Sequence, residues 1–139
     1  MDDETAILLA IETLRSNPEY HAAEVLRRKT VGGSAAMAAT AEGSAERSAV
    51  LLLIGTWESI AVLMKGQNKR DKIFAVTPVC HMYRELEPGV NAVRNYFQFQ
   101  EYAKDFEELS KAHRTWLEKQ KKNGKYVSAV CGGLYARFG

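Results

Sequence analysis

The run Leu51–Gly66, LLLIGTWESIAVLMKG, decides the fold. Its apolar part, from Ala49 to Met64, falls short of the ~20 residues a helix needs to cross a bilayer, and Glu58 stands near its middle, so a membrane span is not expected. Val50, Leu53, Ile54, Trp57, Ala61 and Met64 recur at three- and four-residue steps, which is the helical period. Leu51, Leu52, Ile60, Val62 and Leu63 take the other sides. A helix apolar nearly all round is normally enclosed, so the pattern predicts a central helix over about 45–65, closed by Lys65-Gly66, with other helices packed around it.

Glu58 is the exception on that helix. A carboxylate there must reach the surface, meet a cation or a hydrogen-bond donor, or keep its proton. Arg84 and Arg94 are candidate partners, and the three residues form a candidate buried polar centre. A structural ion pair is the plainer reading of it, and a ligand-pocket carboxylate is the functional one.

Outward from this segment the chain reads as helices. Ile7, Leu8, Ile11 and Leu14 make one stripe over 3–15, with acidic residues in the first turn where the helix dipole favours them. Asn17-Pro18 starts a second helix as cap and first residue, running to about Lys29. Gly32-Gly33 breaks it. The Ala/Ser/Gly-rich stretch that follows, SAAMAATAEGSAERS, fits either a flexible connection or a small-residue helix packed close to a neighbour; a marginal helix continuing into the central one is favoured. Asp71 to Glu87 carries Ile73, Phe74, Val76, Val79, Met82, Tyr83 and Leu86 at helical spacing. Pro78 either kinks it or opens a second helix behind Thr77, and Pro88-Gly89 closes it. Val90 to Gln100 is a turn or a short helix. Tyr102 to Gln120 is a clear amphipathic helix with Tyr102, Phe106, Leu109, His113, Trp116 and Leu117 on its stripe, ended by Asn123-Gly124. The expectation is an all-α, single-domain bundle of five to six helices over 1–123, with a basic and aromatic tail over 124–139.

Composition agrees with one domain. The chain has 139 residues, 46% of them hydrophobic, enough for a single core. Cys80 and Cys131 lack C-x-x-C spacing and read as two separate buried thiols, which fits a reducing, cytoplasmic setting; the acidic start MDDETAILLAIE does not resemble an export signal. Net charge is +2 but uneven: residues 1–110 hold 12 Lys/Arg against 16 Asp/Glu, and residues 111–139 hold 7 against 1. Acidic residues early and lysines late in the helix ending near residue 122 match its macrodipole, which accounts for part of that asymmetry.

The block from Val50 to Trp116 resembles DUF4760, a family of small bacterial and phage-associated proteins of unknown function. The likeness rests on LLLI-x-x-WESIA (Leu51 to Ala61), Ile73-Phe74, MYRELEP (Met82 to Pro88) and Y-x-x-DFEEL (Tyr102 to Leu109). It implies an all-helical fold and no chemistry. Many members carry an N-terminal membrane helix, which this sequence lacks.

No catalytic signature is present. His21, His81 and His113 have no metal-ligand spacing, Cys80-His81 are neighbours that point about 100 degrees apart on a helix, and phosphate-loop and nucleophile-elbow motifs are missing. No cofactor, metal or enzyme activity is expected. Lys119, Lys121, Lys122, Lys125 and Arg137, interleaved with Tyr126 and Tyr135, are the candidate binding residues for a protein or a nucleic acid, and Lys65, Lys69, Arg70 and Lys72 form a second basic patch. The sequence points to a non-catalytic binding protein with a protein partner, an adaptor or a stoichiometric inhibitor of the kind phages use against bacterial defence complexes, anti-CRISPR proteins included. Nucleic-acid binding through the basic C-terminal region is the alternative; self-association is compatible with either.

Overall fold

The computed structural model describes residues 2–124, so the tail residues Lys125, Tyr126, Cys131, Tyr135 and Arg137 lie outside them. Among the described residues there are seven helices and no strand: α1 (Asp3–Arg15), α2 (Pro18–Lys29), α3 (Gly33–Ala38), α4 (Ala45–Met64), α5 (Asp71–Val76), α6 (Val79–Phe97) and α7 (Lys104–Lys122). The all-helical class is as expected; the count exceeds five to six because α3 and α5 are separate helices of six residues each.

The starts follow local chemistry. Asp2 accepts the Thr5 N–H, Asn17 the Glu19 N–H ahead of Pro18, and Ser44 the Arg47 N–H, so three of the helices begin on a side-chain cap. Ser44 follows a turn, and α3 therefore stops short of α4 instead of running into it.

Helix α4 touches α1, α2, α3, α6 and α7. Val50, Leu53, Ile54, Trp57, Ile60 and Met64 are wholly buried along it. Full enclosure, however, is corrected: Leu52, Val62 and Leu63 are 37–54% exposed, and Gly55 and Ser59 between them are also open to solvent. Both sides of this helix are apolar, so periodicity could not tell the buried from the open one. Starting at Ala45, α4 is 20 residues long, and it is the one described helix long and apolar enough to cross a membrane. Its buried face is instead the floor of the protein core.

Of the two readings of Pro78, the opening of a second helix is the one seen, with Pro78 as its N-cap, while the reading of Pro88-Gly89 changes. Pro78 precedes α6 and is not its first residue. Pro88-Gly89 does not close a helix but lies inside α6. The reason is Ser34 of α3, whose hydroxyl accepts the Gly89 N–H at 3.0 Å and donates to the Glu85 carbonyl at 3.0 Å. The hydroxyl thus stands in for the ladder bond between residues 85 and 89. A Cβ on Gly89 would lie 3.0 Å from Ser34 Cβ and 3.1 Å from its carbonyl oxygen, which is why this contact needs glycine. The first part of the small-residue segment, Gly33–Ala38, is therefore a closely packed helix, and residues 39–44 form the turn that leads into α4.

Candidate functional site

The structure does not bring Glu58, Arg84 and Arg94 together. Glu58 Oε1 accepts the Phe106 N–H at 2.7 Å. Phe106 lies in the first turn of α7, whose own cap residue, Ala103, offers no side-chain acceptor, so a carboxylate from α4 caps α7 across the interface. Arg94 instead donates to the Tyr102 carbonyl at 2.8 Å and to Glu107 at 3.1 Å. Burial pushes the Glu107 carboxyl up, but Arg94 and Lys104 outweigh it and leave it below the ordinary value. Burial, then the charge of Glu58, pushes the Tyr102 phenol up to about 12. Arg84 lies 3.2 Å from His81 Nδ1. The three residues serve three different joints.

A buried polar network does exist, one that sequence reasoning missed. Trp57 Nε1–H donates to the Tyr20 hydroxyl at 3.0 Å, and that hydroxyl donates to Glu24 at 3.4 Å. Arg27 binds Glu24 at 2.7 Å and Glu85 at 3.4 Å, and the Arg15 guanidinium lies 5.4 Å from the Trp57 ring centre. Burial first, then the neighbouring Glu24, raises the Tyr20 phenol. The signal was the spacing of Tyr20, Glu24 and Arg27, which share a helix face. Outside this network lies a cleft of about 270 Å³ lined by Glu12, Arg15, Tyr20, His21, Glu24 and Arg28. Acid and base alternate around it, so it presents no single charge to a ligand.

His113 is enclosed on α7. Its Nδ1 accepts the Cys80 N–H at 3.3 Å, which leaves Nε2 to donate to the Phe74 carbonyl at 3.0 Å, and its ring stacks on Phe74 with centres 4.7 Å apart. Burial lowers its pKa to about 4, against a raising effect of the Phe74 hydrogen bond. Cys80 is buried, and the reading of two separate thiols involves Cys131, which lies outside the described residues. Among the described residues no group of three or more His, Cys, Asp or Glu is placed to hold a metal ion.

Of the basic candidates, Lys119, Lys121 and Lys122 are exposed at the end of α7. Lys121 shares a cleft of about 250 Å³ between α6 and α7 with His81, Arg84, Arg114 and Glu118. The second patch is committed elsewhere: Lys65 pairs with Asp105 at 3.3 Å, Lys72 with Asp2 at 3.7 Å, and Arg70 lies over the Phe74 ring. It also joins α1 to α5, because buried Glu4 accepts the Lys72 N–H at 2.7 Å.

The largest exposed aromatic group is at the α6–α7 corner. Tyr96, Phe97 and Phe99 are 65%, 58% and 53% exposed, although the sequence placed them in a short helix or turn without a role. Tyr96 and Phe97 meet edge to face at 4.8 Å, and the Arg47 guanidinium of α4 lies 4.7 Å over Tyr96. The connection is held rigidly: Gln98 and Ala103, neither a glycine, both take left-handed conformations, while Arg94 ties the Tyr102 carbonyl back to α6. The corner thus presents three aromatic side chains to solvent next to a turn whose far end is tied back to α6. No family model matches the chain, and no curated protein or solved structure matches it either.

Proposed function

We propose that this is a non-catalytic helical binding module that recognises a protein partner through the Tyr96-Phe97-Phe99 corner, as an adaptor or stoichiometric inhibitor. The observation that carries the reading is the exposure of three neighbouring aromatic side chains at the α6–α7 corner. Rigid aromatic residues supply large contact area at low entropy cost and dominate binding energy in protein interfaces. Phage-encoded inhibition of a host defence complex is one form such a role could take, resting on the size of the chain and the family resemblance.

The test compares the unaltered protein with Phe97→Asp and Phe99→Asp as bait in an extract of the source organism. A partner recovered by the former and lost with either variant supports the reading. No corner-dependent partner sinks it.

The cleft shared by Arg84, Arg114 and Lys121 favours a second reading, contact with nucleic-acid phosphate. Replacing Lys119, Lys121 and Lys122 with Gln would then weaken binding to DNA or RNA and flatten its dependence on salt. Absence of any salt-sensitive binding by the unaltered chain rejects it.

A further inference from the structure

We propose that the cleft between α6 and α7 is a binding site for a small soluble phosphomonoester, held as its dianion by Arg84, Arg114 and Lys121. The inference rests on the phosphate reading of this cleft and narrows it to one ligand class. Arg84 comes from α6, Arg114 and Lys121 stand two turns apart on α7, and all three line a space of about 250 Å³. At about 1.5 Å per residue the α7 pair is separated by about 10 Å along the axis, a gap that two long side chains close around a shared anion.

Like charges gathered in one cleft repel, so the absence of internal partners calls for a reason. Among the described residues none of the three makes an ion pair with a carboxylate. Glu118 lines the same cleft, four residues after Arg114, and does not pair with it either. Elsewhere cations are engaged within the chain: Arg27, Lys65 and Arg94 pair with carboxylates of other helices, and Arg15 and Arg47 lie on aromatic rings.

Arg84 is also oriented. His81 lines the cleft, is 2% exposed, and has Nδ1 3.2 Å from the Arg84 guanidinium. A guanidinium has no acceptor, so the ring nitrogen accepts and the imidazole there is neutral. Burial lowers the His81 pKa, which keeps that acceptor available at neutral pH. The rest of the Arg84 fork keeps N–H donors for an oxyanion.

Charge and size select the ligand. Three positive charges and the single negative charge of Glu118 leave the cleft two charges positive, which a phosphomonoester dianion neutralises and a phosphodiester, with one charge per phosphate, does not. A space this size lies below the roughly 300 Å³ at which drug-sized sites begin, so it admits a phosphate with a small organic group and not a duplex. Leu117 and Cys80 give that group an apolar wall.

Calorimetric titration at about pH 7.5, where the monoester is doubly ionised, tests this with phenyl phosphate as the probe. One molecule should bind per chain with a dissociation constant below about 1 mM, and dimethyl phosphate should bind at least about tenfold more weakly. Arg114→Gln and Lys121→Gln should each raise the constant about tenfold, the loss of one charge-assisted contact. Lys119→Gln, on the same helix outside the cleft, should leave it unchanged. All three positions are exposed, so circular dichroism should show each variant folded. No binding of phenyl phosphate overturns the proposal, as does equal binding of the diester or an equal loss at Lys119 and Lys121. So does a terminally phosphorylated oligonucleotide that binds more than about tenfold tighter than phenyl phosphate, which would assign the cleft to a strand end. An oligonucleotide without a terminal phosphate that binds where phenyl phosphate does not overturns this inference alone and leaves the nucleic-acid reading standing.

Discussion

His113 is a base held without its proton. Both ring nitrogens are committed, one accepting from Cys80 and one donating to Phe74, and protonation would place a second donor where the Cys80 N–H already points. The sign of the pH effect follows. An unfolded imidazole takes its proton near pH 6.5, the folded one near pH 4, so between these values the unfolded chain holds more protons and stability falls as pH falls. The loss begins below about pH 6.5 and levels off below about pH 4. It is worth about 2 kcal/mol by pH 5 and on the order of 3 kcal/mol in full. Urea unfolding at pH 7.5 and pH 5 should show it, and His113→Gln should be less stable at pH 7.5 but lack this part of the pH dependence. An unchanged pH dependence in the variant would mean that another group carries it. Glu58 makes a similar single-residue joint. Removing its carboxylate in Glu58→Ala should cost about 1–2 kcal/mol by uncapping α7, while Glu58→Gln, which keeps an acceptor oxygen, should cost less in the same assay. Equal losses in the two variants would show that the cap is not what Glu58 contributes.

At the scale of the elements, α3 is the piece whose role exceeds its size. It is six residues long and carries one large side chain, Met37, yet α6 could not run through Pro88 without it. Proline lacks the N–H that would bond the Arg84 carbonyl, and Gly89 is a weak helix former, so two successive positions weaken the ladder. Ser34 repairs the second of them. Ser34→Ala should therefore destabilise the protein by about 1–3 kcal/mol, since it strands the Gly89 N–H and the Glu85 carbonyl together. Gly89→Ala should cost at least as much, despite the better helix propensity of alanine, because its Cβ would press on the Ser34 backbone. Thermal unfolding by circular dichroism reads both, and a stabilised Gly89→Ala would refute the close approach. Close packing of the small-residue segment was one of its two readings, but its effect on α6 was not legible in the sequence. Pro-Gly after a helical run is an ordinary stop signal, and the residue that overrides it lies more than fifty positions away.

Across the whole molecule, what could be read depended on whether it was local. Asn17-Pro18, the stripe of α1 and the stripe of α7 depend on residues within a turn or two of each other, and they emerge close to where periodicity puts them. Glu58 was marked as needing a partner, but its partner is a backbone N–H, which any residue can supply and no pattern announces. The aromatic corner was missed because Tyr96, Phe97 and Phe99 are hydrophobic by type and were counted toward packing; their exposure is set by where α6 ends. The same limit governed α4, whose two apolar faces differ only in what the rest of the chain lays against them. That division is measurable with neighbouring leucines. Leu53 is wholly buried and Leu52 is 37% exposed, so the two are one bond apart in sequence and on different sides of the core boundary. Leu53→Ala removes buried methyl groups and leaves a cavity, a loss of about 2–5 kcal/mol. Leu52→Ala leaves no enclosed cavity and gains helix propensity, so its cost in dilute protein should stay within about 1 kcal/mol. Chemical denaturation at low concentration separates them, and comparable losses would mean that α4 is covered on both sides and that the arrangement of helices around it is wrong.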